Sequence, residues 1–219
     1  MSRRKYVAQR FWNNIEKGRF DGDGRYDIPI IYPEKYIDCK WIGFNYSTAC
    51  RNREDKGIHF FLDDYQFERI WTDIDRYAQM GLSYKAVLSP DFSMYEDWPL
   101  AMNIWNHYRK HYVAAYFQSV GVKVIPSICW LGKESFDWCF DGEPVGGCVA
   151  VSSVGTQMNK KDKSGFIYGY DAMLERLNPE TILFYGTVPD MCRGNIIKIN
   201  PFQSRFEKNQ MAKDGDIEI

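Results

Sequence analysis

The chain has 219 residues, of which 45% are hydrophobic and 16% aromatic, and its formal net charge is −1. This composition excludes an intrinsically disordered chain, which needs few aromatic residues and a high net charge. The near-zero net charge also argues against a general nucleic-acid coat or a binder of anionic membranes, because both carry a basic excess.

The sequence gives no sign of membrane insertion or secretion. No apolar run is long enough to cross a bilayer, so we expect no membrane partner. The charged start MSRRKYVAQRFWNNIEKG lacks the apolar stretch of a secretory signal. No C-x-x-C pair is present, which argues against zinc or redox sites of that type. We therefore expect a cytoplasmic protein whose thiols are free, with those beside apolar runs buried: Cys129, Cys139 and Cys148.

Three regions are predicted along the chain. Residues 1–40 mix glycine, proline and charges, which indicates a short helix at 7–17 followed by an arm or long loop at 18–40. Residues 41–202 form one domain of alternating strands and helices. Residues 203–219 form a polar tail that we expect to fray.

The elements of the domain follow from hydrophobic periodicity. Compact apolar runs predict strands at 41–47, 57–63, 84–89, 122–129, 147–153 and 181–186, the last of them being the final clear strand. Apolar residues three and four apart predict helices at 65–80, 99–119 and 166–177, with a short helix or turn at 133–140. Pro126 inside the fourth run indicates a bulge or an edge position.

This alternation predicts an α/β fold on a parallel sheet with helices between the strands. Several strands are apolar throughout, as expected when both sheet faces are covered. Nearly every strand ends in polar or small residues, which a ring of loops at one rim would explain. We therefore favour an incomplete or distorted TIM-like barrel, with an open doubly wound sheet as the alternative.

The carboxyl ends of parallel strands lie on one face of a sheet, where ligands bind. Asp63, Asp64 and Asp91 follow two consecutive strands and are our catalytic candidates. Two carboxylates in different surroundings can divide acid and base roles, or hold a divalent cation together with water. The alternative is structural, with Asp64 capping the following helix and Asp91 capping a turn.

Five further side chains at strand ends are expected to shape a substrate pocket. Two of them, Trp130 and Tyr185, could stack on a planar ring. The predicted substrate-binding residues are Ser89, Ser127, Trp130, Ser153 and Tyr185.

The three histidines are given structural roles. His107 and His111 are four apart on one predicted helix, a spacing that suits a metal, but H-E-x-x-H would need glutamate at 108. We expect a surface helix face there, a satisfied core residue at His59, and no metal site. The chain also lacks G-x-S-x-G, a Walker loop and G-x-G-x-x-G, which argues against a serine hydrolase and against those nucleotide-binding devices.

Several segments occur in an order that resembles a family carried by phages and mobile elements, domain-of-unknown-function family 4417. The resemblance covers roughly residues 40–190, and it implies a bacterial or phage cytoplasmic setting without implying any activity. It is carried by FFLDDYQFERIW, VLSPDFSMYEDWP, NIWNHYR, VIPSICW, FDWCFDGEPVGG, VAVSSVGT and ILFYG.

A fainter likeness is to the tRNA-guanine transglycosylases, which are TIM barrels. Their early acid with Phe-Gln is similar to Asp63, Asp64 and Phe67, and their late G-x-G-T-P-E-D turn is similar to the looser segment 186–190. Their Phe-Asp-Cys nucleophile segment and their zinc-ligand cluster are absent here. The likeness implies a barrel and hints at base or glycosyl chemistry.

Two functions remain open from the sequence. The first is an enzyme, a hydrolase or a glycosyl or base transferase, that acts on a nucleotide, nucleobase or sugar at the strand ends and could use a divalent metal. The second is a non-catalytic factor that binds nucleic acid or a host protein. Its working surface would be the basic N-terminus and the aromatic residues of the helix at 99–119, although those aromatics are more simply explained by packing on the sheet.

Overall fold

The computed structural model describes residues 14–156 and 160–199. A small antiparallel hairpin comes first, formed by β1 (Gly22–Asp23) and β2 (Ile28–Pro29). It lies within the segment that we predicted as an arm or long loop. The helix predicted at 7–17 falls mostly outside the described residues, which contain only its end as a 3₁₀ turn at Asn14–Glu16, and the tail 203–219 falls wholly outside them.

Seven strands follow in two parallel sheets, and within each sheet neighbouring strands are consecutive in the chain. The first sheet contains β3 (Lys40–Gly43), β4 (Lys56–His59), β5 (Ala86–Leu88) and β6 (Val124–Ile125). The second contains β7 (Cys148–Ser152), β8 (Thr181–Tyr185) and β9 (Ile196–Ile199). The predicted parallel α/β architecture is confirmed.

A short seam joins the two sheets just after β6. The Ile128 N–H donates to Ala150 O, and the Ala150 N–H donates to Pro126 O, both at 2.8 Å. Ser127 and Ala150 form the parallel bridge between these bonds. Regular β6 ends before Pro126, because proline has no N–H to donate to a ladder.

The helices lie between the strands. Two short ones, α1 (Arg69–Thr72) and α2 (Ile74–Gly81), connect β4 to β5. The long α3 (Leu100–Ser119) connects β5 to β6, and α4 (Lys160–Leu177) connects β7 to β8. A 3₁₀ turn at Lys133–Asp137 stands between β6 and β7. Among the described helices, none is long and apolar enough to pass through a membrane.

Two element predictions were wrong. The helix predicted at 65–80 is divided at Asp73, whose backbone (φ −137°, ψ 56°) is not helical; aspartate favours caps over helix interiors. The strand at 181–186 is not the last, because β9 follows it. That strand was missed since it is short and only Ile199 in it is buried, so its apolar pattern is weak.

Side chains of the first sheet pack against those of the second. The His59 ring at the end of β4 lies 5.0 Å from the Tyr185 ring at the end of β8, and the Phe61 ring lies 4.9 Å from the same tyrosine. On the other side of the second sheet, α4 packs Tyr170 and Met173 into a separate apolar cluster. One apolar cluster thus joins side chains of both sheets and of α1, α2 and α3, and a second lies between the second sheet and α4.

Candidate functional site

A cavity of about 520 Å³ opens at the carboxyl ends of the strands. Its walls come from the segments that follow β3, β4, β5, β6 and β7, together with the first half of α4. The polar groups on these walls include Asp63, Asp91, Ser93, Cys129 and Ser152. Strand ends on both sides of the seam thus contribute to one site, as the parallel topology leads us to expect.

The three predicted acids have different surroundings. Asp63 is exposed on the cavity wall, and Asp91 is partly buried deeper in it. Asp64 accepts hydrogen bonds from the Ser93 N–H at 3.2 Å and the Ser93 hydroxyl at 2.8 Å. Asp64 therefore fixes the loop that carries Asp91. It does not cap the following 3₁₀ turn, whose N-cap position is Asp63.

Four of the five predicted pocket residues lie beneath the cavity and do not line it. Ser89 and Ser127 are fully buried and joined by two hydrogen bonds, from Ser127 N–H to Ser89 Oγ at 2.8 Å and from Ser127 Oγ to Ser89 O at 3.0 Å. Ser153 donates from Oγ to Thr187 O at 2.7 Å, and Tyr185 is buried in the core. These residues hold the strand ends in place.

The fifth, Trp130, does line the cavity. Its ring lies 5.3 Å from the Phe166 ring of α4. It also covers the backbone of Gly169, where an added Cβ would stand 2.0 Å from Trp130 Nε1. The indole is thus fixed in the wall by α4.

Asp91 has an unusual electrostatic environment. Burial raises the pKa of its carboxyl to about 6, and the negative charge of Asp64 acts in the same direction. The Lys110 ammonium and a hydrogen bond from the Cys129 thiol act against this rise. Burial also raises the pKa of Cys129 to about 12, so this residue is a neutral thiol rather than a thiolate nucleophile.

Sequence reasoning missed Lys110. Its side chain is buried on α3, and Nζ donates to Ser127 O at 3.0 Å and to Glu143 Oε1 at 2.5 Å. An ammonium at the end of β6 is therefore held beside Asp91. Residues 103, 106, 107 and 110 follow helical spacing, which was the available signal that α3 has a polar stripe.

Other members of that stripe hold the cavity wall. Asn103 accepts from the Tyr95 N–H at 3.1 Å and donates to Tyr95 O at 2.9 Å. Asn106 donates to Ser93 O at 2.5 Å, and its side-chain oxygen accepts from Arg109 Nε at 3.0 Å. Through these contacts α3 determines the path of the loop after β5.

The histidine predictions need correction. The surface face predicted for His107 and His111 was wrong, because they are 1% and 0% exposed and face the buried Glu143 region. His59 is a core residue as predicted, but neither of its ring nitrogens has a hydrogen-bond partner. Burial lowers its pKa to about 3, so the ring is neutral. All six cysteines are free; Cys139 and Cys148 are buried as predicted, whereas Cys129 is only partly buried, because it lies on the wall of the cavity.

Comparisons with known proteins place these features in a family. The chain is 34% identical over 217 residues to a protein described as "Gene 1 protein" from Mycobacterium phage D29, covering 93% of this chain and 79% of the relative. It is 38% identical over 173 residues to the "Gene 1 protein" of Mycobacterium phage L5, covering 76% and 74%. No solved structure matches the chain. None of these comparisons supports the likeness to the tRNA-guanine transglycosylases.

The family model for "Domain of unknown function (DUF4417)" matches residues 20–203, which include the described core of the fold and every residue that lines the cavity. The phage origin of the two relatives agrees with the resemblance that the sequence segments indicate. The chain therefore belongs to the family Domain of unknown function (DUF4417).

Proposed function

We propose that this phage-type protein is an enzyme that acts on a nucleotide, nucleobase or sugar in the strand-end cavity, with Asp91 as the proton-transfer group. The observation that carries the proposal is a carboxyl whose pKa is raised to about 6 on the wall of a cavity of about 520 Å³. Perturbed carboxyl groups in clefts are characteristic of catalytic sites.

The chemistry follows from that pKa. A group that is partly protonated near neutral pH serves efficiently as a general acid or base. Asp63 supplies a second, exposed carboxylate in the same cavity, and two carboxylates in unlike surroundings can divide the two roles. This arrangement favours a hydrolase or a glycosyl or base transferase.

The proposed substrate class rests on the walls and on the space beside them. Trp130 and Phe166 present aromatic surface, and Tyr95 stands 49% exposed next to them. A neighbouring groove of about 1070 Å³ shares these three residues with the cavity. A planar base could stack on the rings while an attached sugar or phosphate occupies the groove.

We further infer that the sheets curl into an incomplete barrel. The strands run in parallel and in chain order, and His59 of β4 contacts Tyr185 of β8. A cytoplasmic setting in an infected bacterium fits the phage origin of the relatives. The alternative is a non-catalytic factor that binds nucleic acid or a host protein. Its working surface would include a basic N-terminus that lies mainly in residues 1–13, outside the described residues. We therefore base the proposed function on the cavity.

A ligand screen with a matched pair of variants tests this function. The full chain is incubated with nucleosides, nucleotides, sugars and short DNA; melting temperature and product release by mass spectrometry are recorded. A ligand at a hundred times its Kd stabilises the folded state by about 2.7 kcal/mol, which a melting curve resolves. Asp91→Asn should lower turnover by at least about a hundredfold, since general acid–base groups contribute about 10²–10⁴.

The control is Asp97→Asn, an exposed acid in the same loop that does not line the cavity. It should leave turnover unchanged. Full activity in Asp91→Asn, or a loss of equal size in both variants, would contradict the role of Asp91. Absence of any product and of any melting shift with every compound would reject the enzyme hypothesis.

A further inference from the structure

Two histidines and a glutamate form a buried cluster apart from the cavity. His107 and His111 lie on successive turns of α3, and their ring centroids are 4.4 Å apart. Glu143 approaches from the segment before β7. Each residue offers one ligand atom, and the three atoms lie within 4.8 Å of one another. All three side chains are buried, and none of them lines either the cavity or the neighbouring groove.

Backbone carbonyls fix one nitrogen of each imidazole as a donor. His107 Nε2 lies 3.2 Å from Asp141 O, and His111 Nδ1 lies 2.9 Å from Pro29 O. A carbonyl oxygen only accepts, so each of these nitrogens carries the hydrogen. In a neutral imidazole the opposite nitrogen is the acceptor. His107 Nδ1 and His111 Nε2 are then left with free lone pairs.

Those lone pairs have no suitable protein partner. His107 Nδ1 is buried and makes no hydrogen bond. His111 Nε2 lies 3.1 Å from Glu143 Oε1. The same oxygen accepts a hydrogen bond from Lys110 Nζ at 2.5 Å, as a carboxylate oxygen does. A proton on His111 Nε2 would satisfy this contact but would still leave His107 Nδ1 without a partner. Glu143 Oε2 is likewise buried without a hydrogen bond.

We propose that His107 Nδ1, His111 Nε2 and the Glu143 carboxylate bind one divalent transition-metal ion. Imidazole nitrogen and carboxylate oxygen are the donors of many zinc and non-haem iron sites. Two ligand atoms at about 2.0–2.1 Å from a tetrahedral zinc ion stand about 3.3 Å apart. The 3.1 Å between His111 Nε2 and Glu143 Oε1 is close to that value.

The surroundings match those of a metal site. Metal-binding histidines generally donate their second N–H to a carbonyl or carboxylate, which fixes the ring orientation. Here Asp141 O and Pro29 O have that role. Lys110 can keep its bond to Glu143 Oε1 while Oε2, which has no partner, binds the ion.

The ion would connect three parts of the chain that are far apart in sequence: α3, the segment before β7, and, through Pro29 O, the β1–β2 hairpin. Because the ligands are deep in the protein, the ion would act first on stability. Its loss should lower the melting temperature even when no substrate is present.

Metal content tests the proposal directly. The full chain is purified without chelator, and zinc, iron, manganese, cobalt, nickel and copper are measured by inductively coupled plasma mass spectrometry. Protein treated with chelator is then titrated with Zn²⁺, Co²⁺ and, without oxygen, Fe²⁺. We expect about one ion per chain, a rise in melting temperature on reloading, and visible ligand-field absorption of the Co²⁺ form.

Variants localise the ion. Glu143→Gln and His107→Asn should each lose the bound ion and the Co²⁺ absorption, whereas Glu175→Gln, an exposed acid on α4, should keep both. If the metal-free wild-type protein binds none of the three ions, the proposal is overturned, and this result does not depend on whether the variants fold. An ion retained at full stoichiometry by both folded ligand variants would also overturn it. The ion found in the purified protein identifies the site as a zinc site or an iron site.

Discussion

Replacing Asp91 by asparagine should make the protein more stable at neutral pH, although this residue is the proposed proton-transfer group. A carboxyl whose pKa rises from 3.8 to about 6 on folding binds its proton more tightly in the native state. Below about pH 4 both states are protonated and the residue has no effect. As pH rises from about 4 through 6 the native state must ionise a buried acid, and stability falls.

The size of the effect follows from the same values. One pKa unit corresponds to about 1.4 kcal/mol, so Asp91 lowers the stability of the wild type by up to about 3 kcal/mol above pH 6. The asparagine variant carries no charge there and avoids this cost. In a chain of this length a gain of 1 kcal/mol raises Tm by about 2–4 °C.

Urea unfolding of wild type, Asp91→Asn and Asp97→Asn at about pH 4 and about pH 7.5 measures the difference. The advantage of Asp91→Asn should be small at the lower pH and largest at the higher one. Subtracting the free energy of unfolding of the wild type from that of each variant at the same pH removes the contributions of the other groups that titrate in this range. An advantage that does not change with pH, or an asparagine variant that is less stable at pH 7.5, would refute the reasoning.

Two further substitutions test the cavity walls. Gly169→Ala should lower the free energy of unfolding by about 1–3 kcal/mol, because the new Cβ clashes with the Trp130 ring. In the same helix, the Cβ of Gly165→Ala meets no neighbouring atom, so this variant should raise the free energy of unfolding by up to about 1 kcal/mol. Thermal melts that rank the two variants in the opposite order would contradict the packing of Trp130 on Gly169. Ser93→Ala removes the hydroxyl bond to Asp64 and leaves the backbone bond in place. The free energy of unfolding measured in urea should fall by about 1 kcal/mol, while the loop that carries Asp91 keeps its position. Unchanged stability would show that the hydroxyl bond makes no net contribution.

The strand and helix pattern could be predicted because it depends on local periodicity. The runs at 57–63 and 181–186 are apolar enough to indicate buried parallel strands, and β4 and β8 lie within them. Parallel topology then placed Asp63 and Asp91 at one rim, and both line the cavity. The strand β9 escaped prediction since its residues are mostly half-exposed.

The polar stripe of α3 could not be interpreted from the sequence. Periodicity shows that polar residues share a face, but it does not show whether that face meets water or a buried acid. The acid that decides the matter, Glu143, is 33 positions from Lys110, in the turn-rich segment FDGEPVGG. A long-range charge pair of this kind leaves no local signal, so the sequence wrongly predicts surface positions for the histidines beside it.

The seam between the sheets has a mechanical consequence. Asp63 and Asp91 belong to the sheet on one side of it, and Ser152 and Phe166 to the side of the other sheet. The two sheets are joined there by two backbone hydrogen bonds around Pro126, whereas the β7–β8 ladder pairs five residues. Bending at this seam would therefore disturb fewer backbone hydrogen bonds than bending between β7 and β8. Because the cavity walls come from both sheets, such bending would change the width of the cavity.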